Sequence, residues 1–258
     1  MAGTAKRAES PIDLLSTQFP EVRAGGYTRI DGTIEFYGRV NALLKPHLRV
    51  LDFGAGRGAW REDDECAYRK GLRSLRNKVA NIVACDIDSA VLENSEADQK
   101  DVLVPGEPLP YEDASLDLVL MDYVVEHLTN PQETFMEISR ILKPGGWLCC
   151  RTPNINYYVS IISRLMPNKL QKQLVSAAQP GRKPEDIFQT AYLANSASAL
   201  RKLLPAPRFS TYIYYYHPEP AYHFGKEWLL AVLVALERFI PSSIYANIFV
   251  FAKKNSKA

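Results

Sequence analysis

The stretch Val50–Trp60, VLDFGAGRGAW, decides the fold. An apolar run, LRVLDF, ends in three alternating glycines, Gly54, Gly56 and Gly58. The run reads as a short strand. The glycines read as a loop whose backbone can approach a ligand, with a helix N-terminus beyond it that favours negative charge. By itself, Gly54–Ala59 also fits a dinucleotide fingerprint with alanine in the last place. Asp52, two residues before Gly54, argues against that ligand. A carboxylate there would meet a pyrophosphate badly, whereas it suits the ammonium group of an amino acid, directly or through water.

Outward from this stretch, strands and helices alternate. NIVACDI reads as a second strand, QKDVLV as a short third, LDLVLMD as a fourth and GWLCCRTP as a fifth, stopped by Pro153. GTIEFYGRVNALLK has helical spacing, with Ile34, Tyr37, Val40 and Leu43 or Leu44 on one side. PQETFMEISRILK reads as a helix with Pro131 near its start and Gly145 past its end. STYIYYYH and YANIFVFAKK read as two late strands, with KEWLLAVLVALERFIP between them. The fold class is α/β: a Rossmann-like, doubly wound, mostly parallel seven-stranded sheet with helices on both faces and a C-terminal helical lobe. Such sheets bind ligands at the carboxyl ends of their strands. Residues 1–26 read as a flexible arm and 27–258 as one domain, with a core over about 48–154 and a lobe plus late strands over about 155–258.

Composition narrows the class. A chain of 258 residues with 47% hydrophobic content can bury a sizeable core. No stretch reaches the roughly 18 apolar residues of a spanning helix, and MAGTAKRAESPIDLL has no signal-peptide core. A cytoplasmic protein is expected. Cys66, Cys85, Cys149 and Cys150 show no paired metal spacing and read as small buried residues. The net charge of +2 is unevenly spread. Residues 1–150 carry 17 basic and 24 acidic side chains, and residues 151–258 carry 14 and 5. The basic half is either a solvated surface or a face toward an anionic substrate, phosphate or membrane.

VLDFGAGRG, ACDID, LPYEDASLDLVLMDYVVEHL and EISRILKPGGWLCCRTPN occur in that order between about residues 48 and 154. Together they resemble the class I S-adenosylmethionine-dependent methyltransferases, and the whole chain resembles the bacterial type 11 group. The resemblance implies S-adenosylmethionine as cofactor. It implies that Asp52, Gly54 and Gly56 surround the methionyl and ribose portions and that Asp86, followed by Ile87, accepts the ribose hydroxyls. Asp101 would take the adenine amine while Val102 packs on the ring, and Asp122 and Tyr123 would border the methionine end. One departure stands out: Asp86 follows Gly58 by 28 residues, so REDDECAYRKGLRSLRNK carries an extra turn or loop.

His127, after the fourth strand at the ligand edge, is the candidate base, with a loop-holding role as the alternative reading. Glu126 faces the cofactor side or caps backbone. Some ubiquinone-type relatives hold a divalent metal with two glutamates and a histidine here. Tyr123 stands where the first glutamate would be, so no metal site is expected. Arg151, Asn154, Tyr157 and Tyr158 lead toward an acceptor pocket, where Arg151 either holds an anionic group or forms a surface salt bridge. His217 and His223 either line it or pack an edge strand. WLLAVLVAL, Trp228–Leu236, suits a buried helix. A lid, a homodimer contact or shallow lipid contact are the sharper options.

The expected activity is methyl transfer to a small molecule, foremost the hydroxyl of a saccharide, glycolipid or natural-product intermediate. Methylation of protein or nucleic acid is the alternative. Against nucleic acid stand the missing base-targeting motif, with MDYV in its place, and the lack of a basic-aromatic groove. A non-catalytic cofactor-binding module is a third reading, opposed by the intact loop and both acids.

Overall fold

The computed structural model describes residues 11–166 and 190–256. The basic turn QPGRKPED and residues 1–10 of the expected arm lie outside them. Seven strands form one sheet: β1 (Arg49–Phe53), β2 (Asn81–Asp86), β3 (Gln99–Val102), β4 (Leu116–Asp122), β5 (Leu142–Pro153), β6 (Phe209–Tyr216) and β7 (Asn247–Lys254). Their order is β3-β2-β1-β4-β5-β7-β6. The first five are parallel, and β7 runs antiparallel to both β5 and β6. The chain order reverses between β1 and β4, so the carboxyl ends of these two strands form the switch-point crevice. β5 starts earlier than the sequence indicated, because Leu142 already pairs with Leu116 before the register shifts between Leu116 and Leu118.

Alternating side chains send two apolar layers to opposite faces. Leu51, Val83, Val119, Met121 and Cys150 pack with α5 (Pro131–Ile141) on one face. Val50, Ile82, Leu118, Leu120 and Cys149 pack with α2 (Gly32–Leu43) on the other. The two adjacent cysteines therefore point opposite ways, as strand geometry requires. Caps place both helices: Asp31 accepts from the backbone N–H of Thr33 and Ile34, each at 2.9 Å, and Asn130 accepts from Glu133. Phe36, which lies outside the face expected from the sequence, is fully buried between Phe249 and Phe251.

Two expectations change. Residues 11–26 are folded, not a floppy arm: α1 (Pro11–Ser16) and a 3-10 turn at Pro20–Arg23 bury Leu14, Phe19 and Val22. The apolar helix near the C-terminus, Glu227–Glu237, is not buried all round: Leu230 and Glu237 are inside while Trp228, Val232 and Leu236 face solvent. The extended first crossover holds two short helices, α3 (Trp60–Asp63) and α4 (Ala67–Arg73). After β5 come α6 (Tyr158–Leu165), α7 (Ala197–Leu203) and then the apolar helix, α8.

Candidate functional site

A cleft of about 2270 Å³ runs along the carboxyl edge of the sheet. Gly54, Gly56, Asp86, Ile87, Val102, Asp122, Tyr123 and His127, all expected from the sequence, line it. Asp52 and Asp101 are not among its lining residues.

The glycine loop is held from below. Gly54 and Ala55 donate to the Cys85 carbonyl at 2.7 and 3.1 Å, which extends the pairing of β1 with β2. Gly54 has φ +72°, and a Cβ there would stand 2.5 Å from a Val124 methyl. At Gly56, with φ +52°, a Cβ would meet open space, so side chains larger than hydrogen would intrude on the loop's free side. The Asp86 carboxylate accepts from the Gly56 N–H at 2.9 Å and from the Asp88 N–H at 3.0 Å. Its remaining lone pairs can still take hydroxyl donors, since a carboxylate offers about four such positions. Ile87 and Val102 are exposed apolar side chains at the neighbouring ends of β2 and β3, and both line the cleft. Asp101 does not line the cleft, and its carboxylate accepts from Tyr111 Oη at 3.0 Å and from Gln99 Nε2 at 2.8 Å.

At the carboxyl ends of β1 and β4 lies a charged cluster. Asp122 accepts from Arg151 Nε, from Arg151 Nη2 at 2.9 Å and from Tyr37 Oη at 2.9 Å. Burial works to raise its carboxyl, but Arg151, Arg73 and Tyr37 outweigh it and hold the group below the usual carboxylate range. The Arg151 guanidinium is buried over the rings of Tyr123, Phe36 and Tyr37 at 4.7–5.7 Å. It is therefore spent on Asp122 in an ion pair that is buried, where the sequence left open a surface salt bridge or an anionic acceptor. Asp52 has the opposite environment. Burial first, then the facing charge of Asp122, push its carboxyl up to about 7, with Arg73 opposing and Asp86 adding to the rise. Asp52, Asp86 and Asp122 set against Arg73 and Arg151 leave one excess negative charge when all are ionised. That balance complements a ligand with a net positive end.

Arg73 could not be singled out from the sequence. The extended crossover delivers it from α4 to 3.7 Å from Asp122, stacked over Trp60 at 4.8 Å. Asn94 was missed too. Its Nδ2 donates to the Gly56 carbonyl at 3.0 Å and steadies the loop. Neither has a local signature, because each acts across a crossover.

Just past the end of β4, Tyr123 adopts φ +59°, a strained conformation for a tyrosine, and its hydroxyl donates to Asn247 at 3.2 Å. His127 closes the 3-10 turn Val125–His127, and its Nε2 stands 4.0 Å from Glu126 Oε1. Glu126 is buried and accepts from Thr152 Oγ1 at 2.9 Å. The other expected acceptor residues are largely structural. The Asn154 amide donates to the Ser243 and Tyr245 carbonyls, each at 2.9 Å. Tyr157 and Tyr158 donate to Glu237, and His217 is wedged against Tyr157 and Tyr245. Tyr157 still reaches the cleft wall, together with Tyr192, Tyr222 and Glu219. His223 lines a smaller neighbouring pocket with Tyr123 and Glu219. Among the described residues no group of three or more His, Cys, Asp or Glu side chains could hold a metal ion.

A doubly wound sheet with this strand order, a glycine loop after β1 and acids closing β1, β2 and β4 define the class I S-adenosylmethionine-dependent methyltransferases. Residues 51–150 carry the domain of this class: they match the family model Methyltransf_11, a methyltransferase domain. S-adenosylmethionine is the methyl donor of that family. A ubiquinone/menaquinone biosynthesis C-methyltransferase of Laribacter hongkongensis is 25% identical over 135 residues, 50% of this chain and 51% of that protein. A malonyl-[acyl-carrier protein] O-methyltransferase of Hahella chejuensis is 35% identical over 110 residues, 40% of this chain and 36% of that one. A sterol 24-C-methyltransferase of Schizosaccharomyces pombe is 34% identical over 114 residues, 43% and 29% of the two chains. The chain thus spans about half or less of the length of these curated relatives. Among solved structures, a chain of the complex between the Haloferax volcanii Trm112 methyltransferase activator and its methyltransferase partner superposes with a TM-score of 0.56 at 17% identity, covering 98% of this chain and 99% of that one. YcgJ of Bacillus subtilis gives 0.51 at 15% identity, covering 86% and 99%. Both show the fold alone.

Proposed function

We propose that this protein methylates a hydroxyl group of a small-molecule acceptor. The observation that carries the reading is that His127 lines the same cleft as the glycine loop, Asp86, Tyr157, Tyr192 and Tyr222. When bound, S-adenosylmethionine supplies an electrophilic methyl on a sulfonium, and the protein supplies alignment and exclusion of water. Asp86 holds the ribose hydroxyls, Ile87 and Val102 flank the adenine, and Asp52 with Asp122 neutralises the cationic methionine end. Tyr123 and the tyrosine-lined wall orient the acceptor. The His127 imidazole takes the proton that the acceptor hydroxyl loses, and the neighbouring Glu126 carboxylate favours the imidazolium that results.

The names of two relatives favour a second reading, transfer to carbon, which needs the same cofactor site. The test begins with methyl-labelled S-adenosylmethionine and a cell extract divided into polar metabolites, glycans, lipids, protein and nucleic acid. Label in a metabolite, glycan or lipid fraction supports the small-molecule reading. The product's NMR spectrum then separates a methyl on oxygen from one on carbon. Label in protein or nucleic acid overturns it.

A further inference from the structure

We propose that the outer face of α8 docks on an anionic lipid bilayer and brings the acceptor side of the cleft to the membrane. Between Glu227 and Glu237 every residue of α8 is apolar. Trp228, Val232 and Leu236 recur at intervals of four and are 66%, 44% and 61% exposed, and Phe239, just past the end of the helix, is 87% exposed. These four lie on the side opposite Leu230 and Glu237, which are buried. A helix this apolar would ordinarily roll its large side chains inward, because water contact with such a stripe is unfavourable.

The buried polar end of α8 prevents that roll. Glu237 Oε1 accepts from the hydroxyls of Tyr157 at 3.0 Å and Tyr158 at 3.2 Å, and Glu237 Oε2 stands 3.0 Å from His217 Nε2. Turning the apolar stripe inward would expel this carboxylate from three partners. The stripe is therefore held outward by design of the helix's opposite face.

Charge decides what covers it. Exposed Lys226 and Arg238 bracket the stripe, against one exposed acid, Glu227. α6, joined to α8 through Tyr158, exposes Ile161, Ile162 and Leu165 with Arg164 among them. Residues 151–258 as a whole carry 14 basic against 5 acidic side chains. A second copy docked through the same face would bring these like charges together across a two-fold axis. Anionic headgroups neutralise them, while the apolar side chains enter the acyl boundary and Trp228 sits at headgroup level. Val159 and Ser163 of α6 line the cleft, so the docked face adjoins its acceptor side.

The inference goes beyond the methyl-transfer reading, and its test needs neither cofactor nor acceptor, so the two can fail separately. The full chain is sedimented with vesicles of phosphatidylcholine alone and with about 30% phosphatidylglycerol added, while Trp fluorescence is recorded. Each basic residue near an anionic surface strengthens binding roughly fivefold, so partitioning onto the anionic vesicles should be more than about tenfold stronger and should fall with salt. A blue-shifted emission that disappears in Trp228→Phe is expected. The double variant Leu236→Ser/Phe239→Ser should lose vesicle binding and keep S-adenosylhomocysteine affinity. The variant Lys226→Glu/Arg238→Glu, which leaves the apolar stripe intact, should lose only the preference for anionic lipid. Equal or negligible sedimentation with both vesicles overturns the proposal. So does a solution dimer that Leu236→Ser/Phe239→Ser converts to monomer, since the face would then lie between copies.

Discussion

Replacing Asp52 with asparagine separates what the folded chain tolerates from what the cofactor needs. Burial and the facing Asp122 carboxylate raise the Asp52 carboxyl from 3.8 to about 7 in the folded protein. The unfolded chain releases this proton near its ordinary value, so between about pH 4 and 7 the folded state binds more protons than the unfolded one. Stability from this group is therefore fully present below about pH 4 and is lost as pH rises through 7. At about 1.4 kcal/mol per pH unit, the loss reaches roughly 4 kcal/mol at pH 8 and only about 1.5 kcal/mol at pH 5. Solvent at this partly exposed position trims both figures, to about half at the lower bound. Asparagine keeps the shape and removes the titration. Asp52→Asn is expected to be more stable than the parent by about 2–4 kcal/mol at pH 8, with the gain shrinking to about 1–1.5 kcal/mol at pH 5. Urea unfolding of both proteins at the two pH values reads this directly. The same variant should bind S-adenosylmethionine more weakly by calorimetry, because the charge that meets the ammonium is gone. A gain independent of pH, or a loss of stability at pH 8, would refute the burial argument. Unchanged cofactor affinity would remove Asp52 from the ammonium site.

Four further outcomes are expected. Asp86→Ala should weaken S-adenosylhomocysteine binding at least about 100-fold, since two charge-assisted hydrogen bonds are lost; unchanged affinity in calorimetry rules out the ribose assignment. Gly54→Ala places a methyl 2.5 Å from Val124 at φ +72°, so it should cost about 2–4 kcal/mol in urea unfolding. Adding Val124→Ala should recover the steric part of that loss. His127→Ala should lower kcat by about 100-fold or more with little change in cofactor affinity if the imidazole is the base; a change confined to stability would make it structural. Arg151→Met leaves Asp122 buried without its main partner and should cost about 3–5 kcal/mol, and the double variant with Asp122→Leu should recover part of it in the same unfolding assay.

The sheet and its ligand edge were legible in the sequence because their signals are local. Apolar runs such as NIVACDI and LDLVLMD, the alternating glycines after LRVLDF and the acids at strand ends depend on neighbours a few residues away. Cys149 and Cys150 face opposite layers for the same reason: strand periodicity alone determines it. Roles that depend on distant partners were not legible. Arg151 reads as an anion ligand or a surface ion pair until Asp122 is seen to hold its guanidinium inside the protein, and nothing near Asp101 in the chain announces that it stands off the cleft and accepts from Tyr111. Arg73 and Asn94 reach the glycine loop's surroundings across the first and second crossovers, with no spacing to announce them. The N-terminal segment and α8 show the limit most plainly. Leu14, Phe19 and Val22 are too sparse to signal burial, yet tertiary contacts bury them, while an almost wholly apolar helix is kept at the surface. Composition settles how apolar a segment is; the partners of Glu237 decide which way it faces.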